Sequence, residues 1–287
     1  RPPGGPRRSD RPGATGTVTL TRSAGTGSLG GTTTGTIGVG SSAVTISGVT
    51  YSKAESGVML TATGTGAGST VLGKTGDSSA FTVIAGSATK LQVLLPGETA
   101  APGTASGKTG TPTARTAGTS FNVTVNAVDD DWNIVSSTPS VTITSSDANA
   151  VLPSAAALVA GTGTFAVTLK TAGSQTVTAS GGSLTSGTSS SVTVDPATAT
   201  KLQVLLPGET AAPGTVSGKT GTASARTAGS SFNVTVNAVD AYWNTVTSAT
   251  QTIAITSSDA NAILPANAAL SSGTGAFAVT LKTAGSR

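Results

Sequence analysis

The sequence predicts an all-β protein, a row of antiparallel β-sandwiches, and three observations predict it. The first is a duplication. KLQVLLPGETAAPGT at 90–104 returns letter for letter at 201–215. The offset of 111 residues also relates Phe121 to Phe232 and Trp132 to Trp243, and one inserted residue makes it 112 from Asp147 to Asp259. A repeat of that period marks a string of like units, each the size of one sandwich. The second observation is alternation of apolar and hydroxyl residues, the period-2 mark of a strand with one buried face. The third is composition. Hydrophobic residues make up 36% and aromatics only 3%, so cores must be built from Val, Leu, Ile and Ala. The polar surface is Ser and Thr, and Thr is β-branched and suits strands.

The middle copy shows the elements in order. Residues 90–95 form a strand stopped by Pro96-Gly97, and a Gly/Ser/Thr loop runs on to Gly118. Next, Phe121, Val123, Val125 and Ala127 share one face, with Asn122, Thr124 and Asn126 on the other. Asp129, Asp130 and Asp131 make a turn, and a strand is expected from Trp132 to Val135. Val141 and Ile143, then Phe165, Val167 and Leu169, then Val177 and Ala179, then Val192 and Val194 mark the remaining strands. Asp195-Pro196 closes the unit. Residues 155–159 are the one helix-tolerant patch, and they are too few for a stable helix.

Four segments follow from this frame. Residues 1–16 are a basic Pro/Gly/Arg stretch with no apolar periodicity, expected to be disordered. Residues 17–87 are a unit lacking its opening strands. Its end is aligned by Phe81-Thr82-Val83, which leads into Ala88-Thr89-Lys90 as Val192-Thr193-Val194 leads into Ala199-Thr200-Lys201. Residues 88–196 are a complete unit, and residues 197–287 a unit lacking its closing strands. Each incomplete unit is expected to expose a strand edge. With no initiator Met and no signal-peptide pattern, the sequence reads as a segment of a longer protein.

Cys and His are both absent, which removes thiol nucleophiles, disulfides, thiolate zinc sites and imidazole bases. No run of 18 apolar residues offers a membrane span. The net charge is +4, but four arginines and one aspartate in the first dozen residues supply +3 of it. The basic signal therefore belongs to the head and not to the units, which argues against nucleic-acid binding.

The runs FNVTVNAVDDDWNIV (121–135), VTITSSDANAVLP (141–153) and GTFAVTLKTAGSQTVTA (163–179) resemble bacterial immunoglobulin-like repeats. Such repeats occur in large secreted and cell-surface proteins, including invasin- and intimin-type adhesins. The resemblance implies tandem immunoglobulin-like antiparallel β-sandwiches, used as rigid rod segments outside the cell. The chain departs from the commonest pattern by placing Trp132 and Trp243 where a turn glycine is usual.

Three sets of residues are candidates for chemistry. Asp129, Asp131, Asp147, Asp240 and Asp259 lie in turns, where oxygen ligands can hold Ca²⁺; turn-forming bonds to their own backbone are the competing account. Trp132, Tyr242 and Trp243 sit beside turns, where aromatics can stack on sugars or plug the end of a core. Gly68 to Thr75 spells the phosphate-loop pattern G-x-x-x-x-G-K-T, but a turn and a strand follow it instead of the helix that chemistry needs. Near-copies at Gly107-Lys108-Thr109 and Gly218-Lys219-Thr220 mark a reused turn. No catalytic residue and no cofactor other than Ca²⁺ emerges.

The reading is a non-catalytic extracellular or cell-surface stalk or spacer whose partners are its own neighbouring repeats. The alternatives are a module binding carbohydrate or a host surface through Trp132 and Trp243, and an accessory region of a secreted hydrolase.

Overall fold

The computed structural model describes residues 15–65 and 71–287. The basic head therefore falls outside the described residues except for Thr15 and Gly16, as does the start of the phosphate-loop pattern, Gly68 to Thr70. The described residues contain strands and turns and no helix, and nearly all strand pairings are antiparallel. No helix long and apolar enough to cross a membrane occurs among them.

The middle unit is a closed sandwich. Its main sheet runs Ala156–Ala157, Ser140–Ser145, Val177–Gly181, Leu184–Thr188, Lys90–Leu94, Ser120–Val128, Thr162–Thr168. A single parallel pair, Thr185 with Lys90, joins the two halves of that order. Both halves face one core, because Val141, Ile143, Val177 and Ala179 pack in the same cluster as Leu91, Val93, Val123 and Val167. A three-stranded sheet, Arg115–Thr116, Val192–Asp195 and Gly173–Gln175, closes the side through Val192 and Val194.

The alternation at 121–127 fixes which face points inward. Val123, Val125 and Ala127 are fully buried and Phe121 nearly so, and each such valine or phenylalanine side chain contributes about 1.5–3 kcal/mol. Asn126, expected on the polar face, is buried as well. Its amide donates to Gln92 at 3.0 Å, Thr162 donates to its carbonyl at 2.8 Å, and Gln92 donates to the Gly107 carbonyl at 2.7 Å. Gln203, Asn237, Thr274 and Gly218 repeat the network. Because no buried side-chain polar atom there lacks a partner, the hydrogen bonds offset the cost of taking these groups out of water.

Several expected elements come out differently. The loop before Gly118 contains a hairpin, Glu98–Ala100 with Lys108–Gly110, closed by an ion pair of Lys108 to Glu98 at 2.9 Å. The Gly-Lys-Thr motif is one arm of that hairpin and not a phosphate loop. No strand starts at Trp132; that stretch is a tight turn, with Ile134 making an isolated bridge to Val128. The alanine patch is a short strand against Ser140 and Val141. In the first unit, the alternating pair Val44 and Ile46 lies outside any strand.

The third unit repeats the opening strands: Lys201–Leu205, Ser231–Val239 and Thr274–Thr280 form one sheet around a second core. The first unit pairs Gly16–Ala24 with Glu55–Thr65, placing Leu20 opposite Ala62 as Ile143 lies opposite Ala179. Of its described apolar side chains, Val58 alone is buried.

Candidate functional site at the junctions between units

The turn D-x-x-W-N occurs at 129–133 and again at 240–244. In the first copy, one Asp129 carboxylate oxygen accepts from the backbone N–H of Asp131 and of Asn133. The Asn133 amide donates back to the same carboxylate at 3.1 Å. These are the local bonds that make Asp a turn former. They also aim Asn133 out of its own unit. Its carbonyl accepts from the Ala54 N–H at 2.7 Å and its amide donates to the Ser52 carbonyl at 3.2 Å. Both partners belong to the preceding unit. The remaining Asp129 oxygen accepts from Gly86 N–H at 2.9 Å, in the linker between units.

The second copy has the same construction. Asp240 accepts from Tyr242 and Asn244 backbone N–H groups, and from Ala197 in the linker at 3.0 Å. Asn244 accepts from Ala172 N–H at 2.8 Å and donates to the Lys170 carbonyl at 2.8 Å. Each Asn side chain thus spans two backbone groups of the neighbouring unit, as a strand would.

A second contact presses on the same place. Gly103 N–H donates to the Asp131 carbonyl, and Gly214 N–H to the Tyr242 carbonyl, each at 2.7 Å. Both glycines have φ near +80°, and the neighbouring unit leaves no room for a side chain. A Cβ on Gly214 would stand 2.3 Å from Thr171 Oγ1, and one on Gly103 would stand 2.8 Å from Ser52 Oγ.

Asp147 supports the turn that Asn244 grips. It accepts from Lys170 N–H at 2.6 Å, from Thr171 N–H at 2.9 Å and from the Thr171 hydroxyl at 2.7 Å. Asp259 makes the same bonds to Lys282 and Thr283. Burial pushes the Asp147 carboxyl up, but these donors and Asn149 N–H outweigh it and hold the group below the ordinary aspartate value. Asp129 shows the same balance, burial against the N–H groups of Gly86, Asn133 and Asp131. Bonds from Thr283 lead in lowering Asp259.

The calcium candidates are therefore placed as follows. Asp129, Asp147, Asp240 and Asp259 direct their oxygens at the chain's own donors, and Asp131 is exposed and contributes its backbone. No group of three or more acidic residues positioned to hold a metal ion occurs among the described residues.

The aromatic candidates are engaged too. Trp132 and Trp243 are half-buried, each with φ near +70°. That left-handed backbone is what the usual glycine would supply. The Lys90 ammonium sits over the Trp132 ring, 3.6 Å from its centre, and Lys201 over Trp243 at 3.8 Å. Gly107 and Gly218 lie against the rings, where a Cβ would stand 2.2 Å away. Tyr242 packs on the core of the preceding unit, against Gly118.

Asn133, Asn244, Gly103 and Gly214 were not among the residues singled out from sequence. The signal was present: they persist at the 111-residue offset while Asp130, Asp131 and Ile134 become Ala241, Tyr242 and Thr245.

No protein-family profile matches the chain, and no curated protein matches it. Solved structures do. A glycosyl hydrolase family 2 member from Bacteroides cellulosilyticus is 13% identical, with a TM-score of 0.31, over 62% of this chain and 21% of that one. The S-layer protein SbsC, residues 31–844, is 16% identical, with a TM-score of 0.28, over 92% and 28%. Domains 4–9 of SbsC are 15% identical, with a TM-score of 0.28, over 93% and 35%. The chain thus spans between 21% and 35% of the length of these structures.

Proposed function

We propose that this chain is a non-catalytic spacer: tandem immunoglobulin-like repeats of a bacterial secreted or cell-surface protein that set the reach of whatever they carry. The observation that carries this reading is the clasp. Two successive junctions use the same Asp–Asn turn, the same linker bond and the same glycine contact, so each unit is fixed to the last in the same way. Regular joints are what a rod needs and what a flexible tether lacks. The aromatic side chains that would serve a sugar site instead carry a lysine over the ring, which a sugar would have to displace.

The test is small-angle scattering of the full chain beside the N133A/N244A double variant. The spacer reading expects one narrow distribution of inter-unit distances for the parent and a broadened one for the variant, with circular dichroism unchanged. Equal profiles would sink it. A glycan array gives the other arm: the spacer binds nothing there, and binding abolished by W132A/W243A would favour the carbohydrate module.

A further inference from the structure

The two junctions share one clasp and differ at one position of it. The third residue of the turn is Asp131 in the first copy and Tyr242 in the second. Asp131 is exposed, and its backbone carbonyl bonds within its own unit, to Gly103 N–H. Tyr242 makes the matching bond to Gly214 N–H but sends its ring across the junction, half-buried against the edge of the middle unit's core. The facing unit changes in step. Where Asn133 bonds the carbonyl of Ser52, Asn244 bonds that of Lys170.

The surface that meets the ring is shaped by glycine. Gly118 has a φ of +80°, and a Cβ there would stand 2.1 Å from Tyr242 Cε2. Gly118 N–H donates to the Leu169 carbonyl at 2.7 Å, which ties this turn to the loop that Asn244 grips. Lys170 follows in that loop, its ammonium 5.8 Å from the ring centre, within reach of a cation–π contact. Asp147 accepts from the Lys170 and Thr171 N–H groups and holds the loop in place. Glycine turn, lysine and brace form one fixed socket, and a large aromatic seated in such a socket is where selective contacts concentrate.

We propose that the third turn position is the selector of each joint. A unit bearing tyrosine there fits a unit that presents the Gly118 turn and Lys170, and a unit bearing aspartate does not replace it. The inference rests on the spacer reading and adds an order to it, since joints of different class make the units non-interchangeable along the rod. Selectivity here is a difference between two contacts. The ring covers an apolar edge that an aspartate side chain is too short to reach, so the exchange would leave that edge to water.

The experiment measures amide exchange in the full chain, where Ala172 N–H reports the second junction and Ala54 N–H the first. Y242D, which installs the residue of the first junction, should speed exchange at Ala172 by about tenfold or more and leave Ala54 unchanged. Y242F should behave as the parent. G118A attacks the socket from the middle unit, so its reading does not depend on the fold of the turn. It should also speed Ala172 in the parent, yet add less than about twofold in a Y242A background, because the two residues share one contact. Unchanged protection in Y242D, a loss in Y242F as large as in Y242D, or independent effects of G118A and Y242A each overturn the proposal. N244A separates the two readings. If it loosens Ala172 and Y242D does not, the selector alone fails; if neither does, the rod fails with it.

Discussion

Trp132 shows how one residue can hold an unfavourable backbone for the sake of its ring. A left-handed φ costs a side-chain-bearing residue about 1–2 kcal/mol. The ring offsets this by lying on Gly107, donating from Nε1 to the Ala105 carbonyl at 3.3 Å and receiving the Lys90 ammonium. Removing the ring while keeping the strain should therefore be the worst substitution. W132A is expected to destabilise the middle unit by about 2–4 kcal/mol, a little below the roughly 3–5 kcal/mol for a fully buried aromatic because Trp132 is half-buried. W132G loses the same packing but relieves the backbone, and should be milder by about 1 kcal/mol. Urea unfolding of both variants decides this, and a glycine variant no better than the alanine one would remove strain from the account. The lysine over the ring was not legible in sequence: Lys90 and Trp132 are 42 positions apart, and they meet because the Lys90–Leu94 strand pairs with Ser120–Val128.

At the scale of elements, two short devices carry testable consequences. The hairpin leading into Thr162–Thr168 turns on Ala160 and Gly161, both with positive φ, bridged by Val159 and Thr162. Asn suits the first of those positions far better than Ala. A160N should stabilise the full chain by about 0.5–1 kcal/mol, read as a raised denaturant midpoint at unchanged slope. The second device is the Asp147 loop brace. Its carboxyl lies below the ordinary value when folded, so the unfolded chain binds the proton more readily. Stability from this brace is complete above the unfolded value of about 4 and is lost as pH falls through the lower folded value. Asp129 and Asp259 add the same sign. Denaturant midpoints should hold from pH 7 to 5 and drop below about pH 4, and D147N should flatten that drop while lowering the plateau. The alternating strands at 121–127 and 165–169 were legible because one face is buried and the period shows it. The Leu184–Thr188 strand was not. Its LTSGT has no alternation, and its position is set by Gly187, where a Cβ would stand 2.1 Å from the Leu91 carbonyl oxygen. Only the folded neighbour reveals why that residue is glycine.

Over the whole molecule, the units combine separate cores with shared backbone bonds, so their stabilities are coupled but not merged. The middle unit encloses one cluster from Leu91 to Val194, and the third has its own smaller cluster from Val234 to Val279. The third unit, with the smaller core, should be the weaker of the two. In a linear array the weaker unit borrows stability from its neighbour through the interface. Asn244 is the centre of that interface, since its amide bonds Lys170 and its carbonyl bonds Ala172 while Asp240 holds it in place. N244A strips the partner from two half-buried backbone groups of the middle unit, the Lys170 carbonyl and the Ala172 N–H, and from the Asp240 carboxylate, and should weaken the coupling by about 2–3 kcal/mol. The expected outcome by calorimetry is separation of the transitions: the third unit melts earlier, the middle unit shifts little, and the gap between them widens. N244D tests the geometry apart from bulk, because a carboxylate can still accept from Ala172 but cannot donate to Lys170, and it sits against Asp240. It should uncouple the units at least as fully as alanine at neutral pH. A calorimetric profile in which both variants leave the transitions together would mean that the tyrosine and glycine contacts alone join the units, and that the asparagines fold their own turns without holding the next unit.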